Sequence, residues 1–324
     1  MKQFRVGIDN YGLQPLQLSP METLRWAKDH GGDGVQFSGL DTKFRKIIDA
    51  AYLKDLAQFA EDNNLYIEWG GGQHIPRDMK TWSKKDLFAH NEQIAREAVI
   101  LGTRIVRSCS GGLMRWNPEY PTTDTLLKET TEALKSQHQM LKDYNVILAI
   151  ETHFEFTTFE LRRLFEMCDA EPGDWLGICL DTMNLLTMLE DPMSGVERIL
   201  PWVVCTHIKD GGLKLTPKGL VSFPTEIGKG AVDLKKIIAL LETLNWEVIL
   251  SIEDHGGEFH LPIFDPKFLA EFPNLTAAEL VQLLDIVMLT TERNCTILPR
   301  ENWAEICEER LHRDILSLRT IVDH

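Results

Sequence analysis

Four stretches of the chain end alike: VILAIETH (146–153), LGICLDTMN (176–184), VVCTHIKD (203–210) and VILSIEDH (248–255). Each is a β-branched and aliphatic run that breaks off at a side chain able to hold a cation, namely Glu151, Asp181, His207 and Glu253. A near-continuous apolar run is what a parallel strand covered on both faces requires, whereas a strand with one wet face alternates. Four more such runs lie upstream, RVGIDN (5–10), GVQFS (34–38), LYIEWG (65–70) and RIVRS (104–108). Segments of helical period separate the eight, at 20–30, 44–63, 84–101, 123–144, 159–168, 194–199 and 233–244.

Eight strands alternating with helices over roughly 255 residues predict an α/β chain folded as a (β/α)8 TIM barrel, a fold typically of about 250 residues. A doubly wound dinucleotide fold would carry G-x-G-x-x-G after an early strand, and the chain has none. Local signals agree: Ser19-Pro20-Met21-Glu22 reads as a cap, a first-turn Pro and a reciprocating Glu, and Asp233 caps the helix after it. We therefore divide the chain into a barrel over 1–255 and a helical extension over 256–324, with helices at 277–293 and 301–320. The stripes Leu280, Leu283, Leu284, Val287, Met288 and Ile306, Leu311, Ile315, Leu318, Ile321 need cover, from the barrel wall or from a second subunit, so a homo-oligomer is expected. The Phe- and Pro-rich segment 264–273 is expected to be an ordered loop beside the mouth of the barrel.

Composition narrows the partners. With 34 Lys+Arg against 49 Asp+Glu the 324-residue chain carries a formal charge of −15, a field that repels phosphate backbones and anionic lipid, so neither nucleic acid nor membrane is an expected partner. No secretory signal and no run of about 20 apolar residues is present, which predicts a cytoplasmic protein. Its six cysteines form no C-x-x-C pair and read as reduced core residues.

All strands of a parallel barrel open their C-terminal ends on one face, with neighbours about 4.8 Å apart. Glu151, Asp181, His207 and Glu253 therefore converge. Three carboxylates and an imidazole make an oxygen-rich set suited to one divalent ion, Mn²⁺ or Mg²⁺ first, with Co²⁺, Zn²⁺ and Fe²⁺ as further occupants. Without a cation the carboxylates would repel one another and take up protons.

The segments AIETH (149–153), LDTMN (180–184), THIKDG (206–211), GKGAVDL (228–234) and SIEDH (251–255) together resemble the xylose-isomerase-like TIM-barrel superfamily, in particular its sugar phosphate isomerases and epimerases. The resemblance covers about residues 1–260 and implies the same four metal ligands. It also implies a carbohydrate substrate and a reaction through an enediolate, the outcome being isomerisation, epimerisation or, if a β-oxygen leaves, elimination. Ketose 3-epimerases usually carry a His three residues past the metal Asp, a Glu six past the first metal Glu and an Arg six past the metal His. Here those positions hold Asn184, Thr157 and Leu213, which turns the expectation away from plain ketohexose epimerisation.

The expected activity is thus that of a metal-dependent isomerase or epimerase on a keto-sugar or polyol derivative. A lyase acting on an inosose or 3-keto-glycoside is the alternative, and an endonuclease IV-like hydrolase is disfavoured by the ligand set and the charge. Glu151 and Glu253 are the candidate proton-transfer carboxylates, and His153, on the same strand face as Glu151, the candidate proton donor. Candidate substrate contacts are His74, after three successive glycines, Lys209 and Asp210 after His207, Arg107 and Trp116 near a strand end, and His255 after Glu253.

Overall fold

The computed structural model describes residues 3–109, 115 and 119–323. Every run read as a strand forms one: β1 (Val6–Asp9), β2 (Gly34–Phe37), β3 (Tyr66–Gly72), β4 (Ile105–Ser108), β5 (Ile147–Glu151), β6 (Leu176–Asp181) and β7 (Val203–Ile208). An antiparallel hairpin, β8 (Asp210–Thr216) and β9 (Gly219–Thr225), intervenes before the last barrel strand, β10 (Leu250–Ile252). Strands β1 to β7 pair in sequence order, β10 pairs with both β7 and β1, and the parallel barrel closes.

Around it run α1 (Pro20–Asp29), α2 (Thr42–Arg45), α3 (Ala50–Asp62), α4 (Phe88–Leu101), α5 (Thr123–Asp143), α6 (Thr158–Met167), α7 (Asn184–Thr187), α8 (Pro192–Ile199) and α9 (Leu234–Glu242). The cap read at Ser19 is present in both directions, since Ser19 Oγ accepts from the Glu22 amide and the Glu22 carboxylate accepts from the Ser19 amide at 2.8 Å. Asp233 accepts from the Lys236 amide at 3.1 Å. The helix expected over 44–63 is two, since α2 ends at Arg45 and Asp49 caps a new helix through the Tyr52 amide at 2.8 Å.

The hairpin β8–β9, extended by β11 (Phe259–Leu261) into a three-stranded antiparallel sheet, is absent from the sequence reading. It follows directly from the C-terminal end of β7, and through the pairing of β11 with β9 it receives the tail. Segment 264–273 holds a short helix, α10 (Pro266–Ala270), with Phe268 and Phe272 buried and Phe264 exposed, and none of these phenylalanines lines the mouth as expected. Next, α11 (Ala277–Glu292) packs on β8, where Thr290 Oγ1 accepts from the Leu213 amide at 3.1 Å.

The last helix, α12 (Trp303–Val322), lies against β1, β10 and α9. Arg319 reaches the Gly31 carbonyl at 2.7 Å just past α1, and Glu308 accepts from Trp26 Nε1 at 2.8 Å. This is the place of a barrel's eighth helix, filled after a detour through β11, α10 and α11. Its stripe Leu311, Ile315 and Leu318 is fully buried, with Leu311 against Gly12, where even a Cβ would come within 2.9 Å. Among the described residues no helix is long and apolar enough to cross a membrane, and all six cysteines are free.

Inside the barrel Gln36 on β2 meets its register partner Glu68 on β3, donating at 2.5 Å, and touches Cys179 across the interior. Burial pushes the Glu68 carboxyl up to about 8, the Gln36 hydrogen bond opposing it only in part.

Two outcomes follow from this packing. Leu311→Ala should cost about 2–5 kcal/mol in denaturant unfolding, as for other filled core sites; a loss below about 1 kcal/mol would show that α12 is not part of the core. Because the folded state holds the Glu68 proton up to about pH 8 and the unfolded chain releases it near 4.5, the buried carboxyl costs nothing below pH 4.5 and its full penalty above 8. Glu68→Gln should therefore raise the melting temperature at pH 9 by at least about 2 °C, with the gain vanishing towards pH 4, as calorimetry can follow.

Candidate metal and substrate site

Register sets the core of the site. On neighbouring strands Glu151 pairs with Cys179, Asp181 with His207 and His207 with Ser251, so the last residues of β5 and β6, the penultimate residue of β7 and the residue after β10 reach one level. One ligand atom from each of Glu151, Asp181, His207 and Glu253 lies within 4.8 Å of the other three, and all four residues are buried. Threonines lock adjacent strand ends: Thr152 Oγ1 donates to the Asp181 carbonyl at 3.1 Å and accepts from its amide at 2.8 Å, and Thr182 ties both backbone groups of Lys209. The Asp181 Oδ1 atom is held by the Met183 and Asn184 amides at 2.9 and 2.8 Å, leaving Oδ2 for the interior.

The arrangement suits a divalent ion. His207 Nδ1 faces Glu151 at 3.2 Å and Glu253 at 3.6 Å, while its Nε2, which has no hydrogen-bond partner, lies 3.4 Å from Asp9. Asp9, fully buried at the end of β1 and accepting from Ser38 Oγ and the Tyr11 amide, thereby backs the imidazole as carboxylates commonly do behind metal-bound histidines. Sequence reasoning missed Asp9, although it ends a barrel strand like the four ligands.

Two cations balance the carboxylates. Arg107 on β4 pairs with Glu151 and donates to the Ser38 carbonyl at 3.1 Å. Lys209 pairs with Asp181 at 2.8 Å and with Glu253. Burial alone would raise the Glu151 carboxyl, but Arg107 and His207 outweigh it and hold the group well below the usual range. Glu253, with Lys209 and His207 beside it, is held down to about 2 against the same burial. Asp181 goes the other way, pushed up by burial and by Glu253 and Glu151, with Lys209 opposing. Burial disfavours the charged form of His207, yet its acidic surroundings raise it well above the ordinary value, so an ion here would displace a proton.

Above the quartet opens a cavity of about 570 Å³, within the range of small-molecule sites. Of the expected substrate contacts, Arg107, Lys209 and His255 line it, and so does His153, the candidate proton donor. His74 and Asp210 do not. His74 is fully buried, with Nδ1 2.9 Å from Ser108 Oγ and Nε2 2.9 Å from Glu155, because the interior offers a partner to each ring nitrogen. Asp210 turns into the loop after β9, accepting from the amides of Gly211, Gly228, Gly230 and Val232. A Cβ on Gly230 would fall 2.0 Å from its Oδ1, so the GKG motif is a clamp on Asp210. Trp116 lies outside the described residues.

Glu155, also missed in the sequence, bridges His74 and His153, its second oxygen 3.2 Å from His153 Nδ1. Burial disfavours the His153 imidazolium, but neighbouring Cys109 and Glu155 outweigh it and raise the group well above its ordinary value, which favours the protonated ring at the cavity wall.

A sequence comparison with curated proteins finds no match. The model of the xylose isomerase-like TIM barrel family matches residues 24–281, and the chain belongs to that family. Among solved structures it is similar to an L-ribulose 3-epimerase (20% identity, 95% of this chain and 98% of that one, TM-score 0.58). It is likewise similar to the probable 3-DHS dehydratase AsbF of Bacillus anthracis (14%, 89% and 99%, TM-score 0.60). A third is a family protein from Mycobacterium smegmatis crystallised with magnesium (16%, 89% and 98%, TM-score 0.61).

Glu151→Gln, Asp181→Asn, His207→Ala and Glu253→Gln should each weaken divalent-metal binding at least about ten-fold by calorimetry while circular dichroism stays unchanged. Wild-type affinity in any two of them would refute the ligand set.

Proposed function

We propose that the protein is a divalent-metal-dependent isomerase or epimerase acting on a keto-sugar or polyol derivative through an enediolate. The observation that carries this reading is the buried Glu151, Asp181, His207 and Glu253 quartet on the floor of a sugar-sized cavity also lined by His153 and Lys209. When bound, a divalent ion such as Mn²⁺ or Mg²⁺ supplies Lewis-acid polarisation of a carbonyl and its neighbouring hydroxyl.

The chain's own groups do the rest. Glu151 and Glu253 stay ionised at neutral pH and stand on different strands, so one accepts a proton at its carboxylate oxygen from the carbon beside the carbonyl and the other faces that carbon from another side. Return of the proton to the opposite face is epimerisation; return to the adjacent carbon is isomerisation. Arg107 and Lys209 keep the carboxylates fixed and offer donors to substrate oxygens.

His153, at the cavity wall beside Glu155, favours a second reading, a lyase, because a protonated imidazole there can protonate a departing β-oxygen. The exposed face of α11, with Val281, Leu284 and Met288, supports the expected homo-oligomer.

Keto-sugars, 3-keto-glycosides and inososes incubated with Mg²⁺-loaded protein in D₂O distinguish these readings by NMR. Deuterium at the carbon beside the carbonyl, with every oxygen retained, is the expected result, and Glu151→Gln should abolish it; loss of a hydroxyl or glycosyl group would make the enzyme a lyase. Absence of exchange with all three classes would overturn both readings.

A further inference from the structure

Three Lys and Arg side chains line the cavity, and their charges are not treated alike. Arg107 and Lys209, at the floor, are each paired with carboxylates. Arg300, at the rim, is exposed and pairs with no acidic side chain among the described residues. Its Nη2 donates to the Tyr11 hydroxyl and its Nη1 lies 2.5 Å from His255 Nδ1, and neither partner carries negative charge. In a chain with a surplus of 15 acidic groups, such a guanidinium stands out.

It is also held in place from both sides. One residue pair upstream of it is tied down: the Gly257 amide, in a left-handed turn at φ +91°, donates to the Leu298 carbonyl at 2.8 Å. Downstream, Trp303 Nε1 donates to the Gly12 carbonyl at 2.8 Å, fixing the start of α12 on the turn that carries Tyr11. The guanidinium carbon sits 5.4 Å from the centre of the Tyr11 ring, which meets the His255 ring edge-on at 5.4 Å. Two contacts leave most of the five N–H donors of an arginine unused, in the planar fork that matches the oxygens of a phosphate or carboxylate. The other unpaired charge on the rim, Asp41 after β2, is engaged by Gln17 Nε2 at 3.2 Å.

We propose that Arg300, seated on Tyr11 and His255, anchors an anion subsite, and that the substrate is an acidic keto-sugar whose phosphate or carboxylate lies at the rim while its carbonyl end reaches the quartet. This rests on the reading of the site as a keto-sugar enzyme and adds to it the class of substrate. The tail thereby contributes directly to recognition: Arg300 and Phe259, both beyond β10, line the cavity. A neutral sugar would leave the rim guanidinium hydrated, whereas an acidic one exchanges that water for a charge-assisted fork.

Calorimetry on Mg²⁺-loaded protein with D-fructose, D-fructose 6-phosphate and D-fructuronate tests this, since the three share a skeleton and differ at C6 in charge and in its source. At least one acid should bind ten-fold or more tightly than fructose. Arg300→Met should remove that advantage and leave fructose binding unchanged, and Arg300→Lys should restore part of it, which also controls for folding. Preference for one acid over the other identifies the group as phosphate or carboxylate. Equal affinity for all three sugars, or an advantage that survives in Arg300→Met, would overturn the proposal. Deuterium exchange in a keto-sugar combined with equal affinities would overturn the subsite alone and leave the enolisation reading standing.

Discussion

Three carboxylates held within a few ångströms of one another are the constraint on which the rest of the structure turns. Glu151, Asp181 and Glu253 are buried together, and like charges at that spacing are tolerated only when cations share the space. Arg107 and Lys209 supply two positive charges, and His207 is drawn towards a third. The metal-competent floor is thus a charge-balanced cluster built into the ends of neighbouring strands. Its geometry is enforced by strand register and by two threonines whose hydroxyls bridge backbone to backbone.

Around that cluster the polar groups are graded in depth. Asp9 stands behind His207, and the chain Ser108–His74–Glu155–His153 runs from the barrel wall to the cavity. Buried polar groups of this kind are costly unless each finds a partner, and here each histidine orients or is oriented by a carboxylate. The outcome is that His153 lines the cavity with its Nδ1 anchored on Glu155. The rim, in contrast, mixes the rings of Tyr11, His255 and Phe259 with Arg300, Asp41 and Gln17.

The tail links floor, rim and wall. After β10 the chain crosses the mouth as β11, packs α11 on the hairpin, passes Arg300 over Tyr11 and only then completes the helical ring with α12. The packing of α12 and the seat of Arg300 are therefore coupled, because the contacts that bury Leu311 and Trp303 also bring Arg300 beside Tyr11.

By itself the sequence determined the eight barrel strands, most of their helices and the four side chains of the quartet. Those are matters of local pattern: an apolar run needs cover on both faces, and in a parallel barrel whatever ends such a run is delivered to one rim. The cap at Ser19 was legible for the same reason, being a contact within four residues. What only the tertiary structure decided depends on pairs far apart in the chain. His74 looked as available as His153 until Glu155 and Ser108 claimed it, and Asp210 looked like a substrate contact until the amides of residues 228–232 enclosed it. Arg300 carried no signal at all, since a lone arginine in a polar stretch becomes a cavity residue only when α12 has docked on the turn after β1 and brought it beside Tyr11, 289 positions away in sequence.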